Sequence, residues 1–262
     1  MNVGSNSFPD HFSPLAAQYA AWRPNYPPEL FEAIAARLPP APIRVWEAGC
    51  GSGQATLDLA ARSDHMFATD PSRAQIEAHP AWPRSNEYGR VVLAVEPAEA
   101  CSLPDSSVEL IAVAQALHWF QRRAFFAECA RVMAPGGVLA CWCYQDFVAP
   151  PGLEYVVAEF RASIDAHWPA ERADVDNGYS GYEWPFAALP ECDLEMTADW
   201  TLPHLLGYLS SLSATARTIR DGGADPVALH RSALTAAWGD ASDASDVRRV
   251  VWPVRLILRK AA

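Results

Sequence analysis

The 262-residue sequence predicts an α/β fold, a mostly parallel sheet with helices on both faces. The first supporting observation is that short apolar runs alternate with helical patterns between residues 29 and 144. The second is that these runs are apolar throughout, as expected for parallel strands that are covered on both faces. The third is that 50% of the residues are hydrophobic, which is enough to build a substantial interior.

The first five strands and the helices between them follow in order along the chain. The strands are predicted at residues 44–47, 66–70, 91–95, 110–115 and 138–144. Four helices are predicted in this region. Two span residues 29–38 and 54–62, a third is opened by Pro71, and the fourth has its apolar face along 125–133. Pro71 suits the first turn of a helix because the N–H groups of that turn have no partner within the helix. Pro135-Gly136-Gly137 is predicted to turn the chain into the fifth strand.

A cap is predicted after Tyr144, where the alternation of strands and helices stops. Apolar residues at helical spacing indicate helices over 153–164 and 205–219, with an aromatic loop at 177–186 between them. The chain then closes with a long strand at 248–260, which is expected to be antiparallel. Pro253 has no N–H, so this strand must bulge there or lie partly at an edge. We expect the cap to cover the carboxyl ends of the strands, where α/β sheets bind ligands.

Charge and composition exclude several classes of function. The 31 acidic residues outnumber the 20 basic ones, and a net charge of −11 repels phosphate backbones, so no nucleic-acid partner is expected. No apolar run reaches the roughly 18–20 residues of a membrane span, and the N-terminus lacks a signal-peptide pattern. We therefore expect no membrane partner and a cytoplasmic location. The six cysteines form no CxxC pair, which predicts buried reduced thiols and no metal site.

The most informative segment is Glu47-Ala48-Gly49-Cys50-Gly51-Ser52-Gly53-Gln54, between the first strand and the helix that follows it. Its three glycines allow a tight turn and let the backbone approach a ligand. A dinucleotide fingerprint would need glycine at position 54, where this chain has glutamine. Glu47 at the end of the strand favours a ligand with an amino group over a pyrophosphate. Asp70 ends the second strand, at about the spacing at which a carboxylate binds ribose hydroxyls in such folds.

Several segments, in the same order along the chain, resemble class I S-adenosylmethionine-dependent methyltransferases. They are EAGCGSGQ, the strand that ends at Asp70, Pro97-Ala98-Glu99 with Leu103-Pro104-Asp105, AQALHWF at 114–120, and Ala134-Pro135-Gly136-Gly137. Within that superfamily the chain is most similar to the group of trans-aconitate methyltransferase, methyltransferase type 11. The narrower resemblance lies in Tyr19-x-x-x-Arg23-Pro24-x-Tyr26-Pro27, in His118-Trp119-Phe120, and in Trp200 leading into 210–214.

The resemblance implies an enzyme that uses S-adenosylmethionine and forms one methyltransferase domain over 1–262. It also implies a Rossmann-like sheet of seven mostly parallel strands with helices on both faces, an antiparallel last strand and a cap inserted after the fifth strand. The parts of the domain would be a cofactor-covering segment (1–40), a cofactor-binding core (41–145), a cap with the substrate-binding region (146–247) and a closing strand (248–262). The implied cofactor-binding residues are Tyr19, Arg23, Glu47, Ala48, Gly49, Cys50, Gly51, Gly53, Gln54, Asp70, Pro71, Ala98, Glu99 and Gln115. Of these, the glycine loop with Glu47 would hold the methionine part, Asp70 the ribose, and Ala98 with Glu99 the adenine. Arg23 would meet either the cofactor or an anionic substrate.

Three positions depart from the family pattern. Pro97 stands where related enzymes often have an acid that contacts the adenine amino group. Glu109 replaces an aspartate before the fourth strand, and Leu212 replaces an aromatic residue that is common in the group. The substrate wall is therefore expected to differ near Leu212.

The chemistry of methyl transfer decides which further residues are needed. The sulfonium donor is already activated, so the protein has to hold the nucleophile about 3 Å from the methyl group and exclude water. A carboxylate acceptor is ionised at neutral pH and needs no base, whereas a phenol, an alcohol or a protonated amine must lose a proton. His118, just after the fourth strand, is the predicted catalytic residue, as base or as clamp. Aromatic candidates for substrate binding are Trp119, Tyr144, Tyr182, Trp184 and Trp200.

The preferred prediction is O-methylation of a carboxylic acid, with a small molecule as acceptor and a monomer or homodimer as the enzyme. The alternative is N-, C- or phenolic O-methylation of a secondary metabolite. Two other classes share the fold. A nicotinamide-dependent oxidoreductase is disfavoured by Gln54 and by the absence of a second mononucleotide-binding half. A non-catalytic cofactor-binding protein is disfavoured by the retained glycine loop, Asp70 and His118.

Overall fold

One mixed sheet runs through the computed structural model, which describes residues 22–79, 90–239 and 246–261. Its strands are β1 (Arg44–Ala48), β2 (His65–Thr69), β3 (Val91–Ala94), β4 (Val108–Ala114), β5 (Met133–Tyr144), β6 (Ala187–Ala188), β7 (Cys192–Trp200) and β8 (Arg248–Lys260). The order across the sheet is β3-β2-β1-β4-β5-β8, and β6 and β7 both pair with the outer edge of β8. β1 to β5 are parallel and β8 is antiparallel to β5, which confirms the predicted Rossmann-like sheet of seven strand positions.

Helices cover both faces of this sheet. Those described are α1 (Pro28–Ala35), α2 (Thr56–Ala60), α3 (Arg73–Ala78), α4 (Arg122–Val132), α5 (Glu154–Ile164), α6 (Arg172–Asp176), α7 (Leu202–Ser210), α8 (Ser213–Arg220) and α9 (Pro226–Trp238). Short 3₁₀ turns lie at Leu117–Trp119 and Asp165–His167. None of these described helices has the length and the apolar character that a membrane span requires.

The strands are apolar along their whole length because each face packs against helices. In β4, Leu110 and Ala112 belong to one hydrophobic cluster, while Ile111 and Val113 belong to the other. The first cluster contains side chains of α1, α2, α3, α5, α7 and α9, and the second contains side chains of α4 and α6. Burying a side chain such as Ile111 contributes about 1.5–3 kcal/mol. Because this energy is gained on both faces of the sheet, apolar residues occupy every position of the strand, and the continuous apolar runs predicted the strands correctly.

The predicted single helix over 205–219 is wrong, because the chain breaks between α7 and α8. Leu212 has an extended backbone, with φ −69° and ψ 136°. The Ser210 and Ser211 hydroxyls donate to the carbonyl oxygens of Leu206 and Tyr208, so these side chains compete for groups near the helix end. The apolar spacing continues across the break, which is why it read as one helix. Strand β7 and helix α9 were not predicted.

Two strand details refine the sequence prediction. β5 begins at Met133 and not at 138, because Met133 pairs with Val108 before the register shifts at the glycine-rich turn. In β8, Pro253 lies opposite Glu195 of β7, and its carbonyl accepts a hydrogen bond from Gln145 N, one residue past the end of β5. The nitrogen of Pro253 thus points toward β5 at the place where the pairing of β5 with β8 has ended, at Tyr144 and Val254. The missing N–H of proline therefore leaves no strand partner without a donor, which agrees with the predicted position partly at an edge.

The carboxyl ends of the parallel strands meet at one edge, and parts of the cap lie beside that edge. Helix α6 contacts the Leu117–Trp119 turn that follows β4. Val175 of α6 and Tyr179 after it share a hydrophobic cluster with Leu117. This part of the cap therefore lies next to the edge at which α/β sheets bind ligands.

Candidate active site

A cavity of about 940 Å³ opens at the carboxyl ends of the parallel strands. Its walls come from the segment before α1, the loops after β1, β2 and β3, the turn after β4, and the end of β5. Of the residues predicted to bind cofactor or substrate, those that line it are Arg23, Glu47, Gly49, Cys50, Gly51, Gln54, Asp70, Pro71, Ala98, Glu99, Gln115, Trp119 and Tyr144. Its volume is in the range of small-molecule sites.

The glycine loop is a compact turn that is bonded to the end of β2. The backbone nitrogens of Gly49 and Cys50 both donate to Thr69 O, at 2.8 and 2.9 Å. Gly49 has φ +70°, and a Cβ there would lie 2.9 Å from the Cβ of Ala116. Gly49 therefore lets the loop after β1 approach the turn after β4, which closes this part of the cavity.

Asp70 connects this loop to the segment after β2. Its Oδ2 accepts a hydrogen bond from Gly51 N at 3.0 Å, and its Oδ1 accepts one from Ser72 N at 2.8 Å. A carboxylate that accepts two backbone N–H groups is held in one orientation. Asp70 thus presents a fixed negative charge at the wall of the cavity.

Glu47 is completely buried at the end of β1. The Thr56 hydroxyl donates to its Oε2 at 2.6 Å, whereas its Oε1 has no partner among the described residues. Burial, with a smaller effect from nearby Asp70, raises the pKa of Glu47 to about 8. Two other buried polar atoms of cavity residues, Gln54 Nε2 and Gln75 Oε1, also lack a partner in the described part of the chain. Because unpaired buried polar atoms are costly, this set fits a polar ligand in the cavity.

Arg23 lies at the end of the cavity formed by Tyr144. Its guanidinium donates to the Tyr144 hydroxyl and to Ser211 O, both at 3.3 Å, and stands 4.9 Å from the centre of the Tyr208 ring. Among the described residues that line the cavity, Arg23 is the one cationic side chain. The acidic ones are Glu47, Asp70, Glu96, Glu99 and Glu171.

His118, the predicted catalytic residue, does not line the cavity. Its Nδ1 lies 3.0 Å from the Tyr179 hydroxyl, and its ring packs between Trp119 and Tyr179. Burial, assisted by the charge of Arg172, lowers the pKa of His118 to about 3, so the ring is neutral at pH 7. The imidazole links the turn after β4 to the cap, and its neighbour Trp119 reaches the cavity instead.

Three predicted substrate aromatics also lie outside the cavity wall. Tyr182 donates to Asp174 at 2.7 Å, and Trp184 packs on Phe126 with 5.3 Å between ring centres. Trp200 ends the edge strand β7 and packs against Trp252, with 4.8 Å between ring centres. Tyr182 belongs to the second hydrophobic cluster and Trp184 packs against it, whereas Trp200 belongs to the first. These three rings therefore contribute to the packing of the protein interior.

The remaining predicted cofactor-binding residues lie away from the cavity wall or outside the described part of the chain. Ala48 is buried in the sheet and Gly53 packs against His79, so neither lines the cavity. Tyr19 lies outside the described residues. At the positions that depart from the family, Pro97 lines the cavity and Leu212 is buried in the hydrophobic core, while Glu109 is held by Arg44 through its backbone and its guanidinium.

Several residues near the cavity were not predicted from the sequence. Thr56 lies in the first turn of α2, and its position just after the glycine loop could have indicated a partner for Glu47. His79, Gln75 and Glu171 gave no local signal, because their position depends on how α3 and the cap pack. Among the described residues, no group of three or more His, Cys, Asp and Glu side chains is arranged to hold a metal ion.

Comparison with known proteins places this fold and cavity in a family. The family described as "Methyltransferase domain" matches residues 46–141. A solved structure from Anaeromyxobacter dehalogenans, named "Putative Type II Methyltransferase", is 38% identical with a TM-score of 0.80, over 91% of this chain and 97% of that one. A "Putative methyltransferase" from Dictyostelium discoideum is 29% identical over 257 residues, 97% of this chain and 95% of its own. An "Uncharacterized methyltransferase" from Mycobacterium tuberculosis is 36% identical over 136 residues, 52% of this chain and 53% of its own.

The fold and the site define an α/β protein with a polar small-molecule cavity at the carboxyl edge of its sheet. The chain belongs to the class I S-adenosylmethionine-dependent methyltransferases, as the sequence predicts. It is a methyltransferase whose cofactor, S-adenosylmethionine, supplies an activated methyl group on a sulfonium. The family sets aside the oxidoreductase alternative, and the unpaired polar atoms around Glu47 fit a cofactor with an amino-acid part.

Proposed function

We propose that the chain transfers the methyl group to the carboxylate oxygen of a small organic acid. The observation that carries this proposal is the position of Arg23, whose guanidinium lies at the Tyr144 end of the cavity. A guanidinium can hold a carboxylate through two parallel hydrogen bonds, which orients one oxygen for in-line attack. The acceptor needs no general base because it is already ionised. This agrees with the position of His118 outside the cavity wall.

In this proposal the remaining residues bind the cofactor and exclude water. Glu47 and the glycine loop hold the methionine part, Asp70 holds the ribose, and Ala98 and Glu99 border the adenine. Glu99 is fixed because its Oε1 accepts a hydrogen bond from Gln121 N at 2.7 Å. Gln115, at the end of β4, lines the cavity and is hydrogen-bonded to the backbone of Tyr144. Trp119 and Tyr144 form the apolar part of the acceptor wall.

A second candidate is methylation of an amine or a phenol, and Glu171 is the residue that favours it. Glu171 precedes α6 and brings a carboxylate from the cap to the cavity. That group could attract a protonated amine or accept a proton from the acceptor. The five acidic side chains around the cavity are also compatible with a cationic acceptor beside the cationic cofactor.

One experiment separates the two candidates. The enzyme is incubated with S-adenosylmethionine and matched acceptors, each carboxylic acid paired with its amide and with an amine or phenol of the same skeleton. Methyl esters are distinguished in the products by mass and by release of methanol in mild base. Transfer to acids only supports the proposal, and transfer to amines or phenols only replaces it with the second candidate.

Three variants assign the residue that recognises the acceptor. Arg23→Met should raise the KM for an acid at least tenfold, because a hydrogen bond to a charged group contributes about 1.5–3 kcal/mol. Arg23→Lys keeps the charge and should lose less. Glu171→Gln should leave acid methylation unchanged and should reduce methylation of an amine. The reverse pattern would contradict the carboxylate proposal.

A further inference from the structure

A buried chain of hydrogen bonds leads from the end of α3 to Glu47. His79 Nε2 lies 2.8 Å from Thr56 Oγ1, and Thr56 Oγ1 donates to Glu47 Oε2 at 2.6 Å. All three residues are at most 1% exposed. His79 does not line the cavity, and the proposed transfer reaction does not use it. Its contact with Thr56 therefore needs its own explanation.

When Glu47 is ionised, as a bound ammonium requires, its carboxylate can only accept hydrogen bonds, and this sets the direction of the chain. Burial lowers the pKa of His79 to about 4, so the imidazole is neutral at pH 7. When Nε2 carries the imidazole proton, it donates to Thr56 Oγ1. The hydroxyl has one hydrogen, which then goes to Glu47 Oε2. Glu47 Oε1 remains as the acceptor that has no partner among the described residues.

Gly53 makes room for this arrangement. A Cβ at Gly53 would lie 2.4 Å from His79 Nε2, and the residue has φ +91°, which side-chain-bearing residues rarely adopt. Gly53, the third glycine of the loop, does not line the cavity. Its lack of a side chain instead leaves space for the imidazole of His79. The loop is built to admit His79 beside Thr56.

We propose that His79 is a positioning residue for the cofactor: through the Thr56 hydroxyl it fixes the Glu47 carboxylate, so that Oε1 accepts a hydrogen bond from the ammonium group of the methionine part. The inference rests on the proposed role of Glu47 in cofactor binding. The ammonium supplies the partner that Oε1 lacks, and its charge offsets the cost of the buried carboxylate.

The surroundings of Glu47 couple this contact to pH. The titratable groups that face it are Asp70 after β2, Cys50 in the loop and His79 after α3, while β4 places Ala112 beside it. Because the pKa of Glu47 is raised to about 8, the carboxyl is mostly protonated at pH 7 before the ligand binds. A bound ammonium needs the ionised form, so affinity for it rises with pH until Glu47 has ionised. The Thr56 hydrogen bond holds this pKa lower than burial alone would set it.

The test compares two ligands that differ in the amino-acid part. S-Adenosylhomocysteine carries the ammonium, and 5′-methylthioadenosine has the same adenosine without it. Their dissociation constants are measured by calorimetry between pH 6.5 and 8.5. For the wild type, the preference for S-adenosylhomocysteine should grow with pH up to about pH 8 and then level off.

Paired variants isolate the hydrogen-bonded chain. Thr56→Val and His79→Leu should reduce the preference for S-adenosylhomocysteine about tenfold and move its rise to higher pH. Thr56→Ser and His79→Gln keep a donor in each place and should restore most of it. Binding of 5′-methylthioadenosine should change less than twofold in all four, which also shows that the variants are folded.

The outcomes separate the inference from the role on which it rests. If Glu47→Gln leaves the preference for S-adenosylhomocysteine unchanged, Glu47 does not bind the ammonium and both fall. If Glu47→Gln abolishes it while Thr56→Val and His79→Leu do not, only the positioning role of His79 is overturned. Equal weakening of both ligands in Thr56→Val and His79→Leu would make these residues merely structural, and would also overturn it.

Discussion

Gln115 and Tyr144 exchange two hydrogen bonds where β4 and β5 end. Tyr144 N donates to Gln115 Oε1 at 2.8 Å, and Gln115 Nε2 donates to Tyr144 O at 3.1 Å. The side-chain amide takes the place of a strand partner, because the Gln115 backbone has left the strand conformation with φ +53°. Such a conformation costs about 1–3 kcal/mol outside glycine and is often found at functional sites. Here it directs the chain into the cavity while Gln115 holds Tyr144, the residue that contacts Arg23.

Replacing this amide should therefore cost stability as well as function. Gln115→Ala leaves the backbone N–H and C=O of Tyr144 without these partners, so the free energy of unfolding should fall by about 2–4 kcal/mol. Urea unfolding at pH 7 measures this change. Gln145→Ala is the matched control, because Gln145 donates a single hydrogen bond to Asp176 O near the surface, and it should cost about 1 kcal/mol or less. Equal losses would show that the Gln115 amide has no special role at the strand ends.

The sheet and the part of the cavity formed by the loops after β1 and β2 could be predicted because their signals are local. Apolar runs identify strands such as β4, and the glycines with Glu47 identify the loop after β1. Parallel strands place their carboxyl ends at one edge, and Gly49, Asp70 and Gln115, which follow three of these strands, line one cavity.

The contribution of the cap to the cavity could not be predicted because it depends on packing between distant segments. Trp200 does not line the cavity, because it ends β7, an edge strand that the sequence did not reveal. The spacing of leucines continues across the break at Leu212, so periodicity alone could not place that end of α7. His118 has the expected position along the chain, but its ring turns toward Tyr179 of the cap.

Asp70 should contribute to binding of any ligand that carries the ribose. Asp70→Asn removes the charge and one of the two carboxylate acceptors for Gly51 N and Ser72 N. We expect affinity to fall about tenfold or more for S-adenosylhomocysteine and equally for 5′-methylthioadenosine, because both contain the ribose. Calorimetry checks this. Asp58→Asn, at a half-exposed carboxylate that pairs with Arg62, is the control and should change neither value. A loss for S-adenosylhomocysteine alone would place Asp70 at the amino-acid part.

Two glycines of the loop should respond differently to alanine. Gly53→Ala strains a backbone with φ +91° and also pushes the new methyl group against His79, so it should lower the free energy of unfolding by about 2–4 kcal/mol. Gly51→Ala, with φ +54° and open space around its Cβ, should cost only about 1 kcal/mol. Denaturant unfolding without ligand compares the two. If Gly51→Ala is as costly as Gly53→Ala, contact with His79 is not what requires glycine at position 53.

Stability should fall as the pH is lowered from 7 to 5, and His118 should be one cause. Burial, and then Arg172, lowers the pKa of folded His118 to about 3, whereas an unfolded histidine has a pKa of about 6.5. Between these values the unfolded chain binds more protons, so its free energy drops relative to the folded state by up to about 1.4 kcal/mol per pH unit. The contribution of His118 is complete above about pH 6.5 and declines by about 2 kcal/mol on going to pH 5. His79, with its pKa lowered to about 4, acts in the same direction.

Urea unfolding of the wild type and of His118→Asn at pH 7, 6 and 5 tests this. The variant should lose about 2 kcal/mol less between pH 7 and 5, whatever its stability at pH 7. An unchanged pH dependence would mean that folded His118 is readily protonated.

The low pKa of His118 also bears on catalysis, because a ring that stays neutral between pH 6 and 8 gives no inflection in kcat. With an acid as acceptor and both substrates saturating, kcat should therefore be flat over this range. An inflection near pH 6.5 that disappears in His118→Asn would instead return His118 to the role of general base.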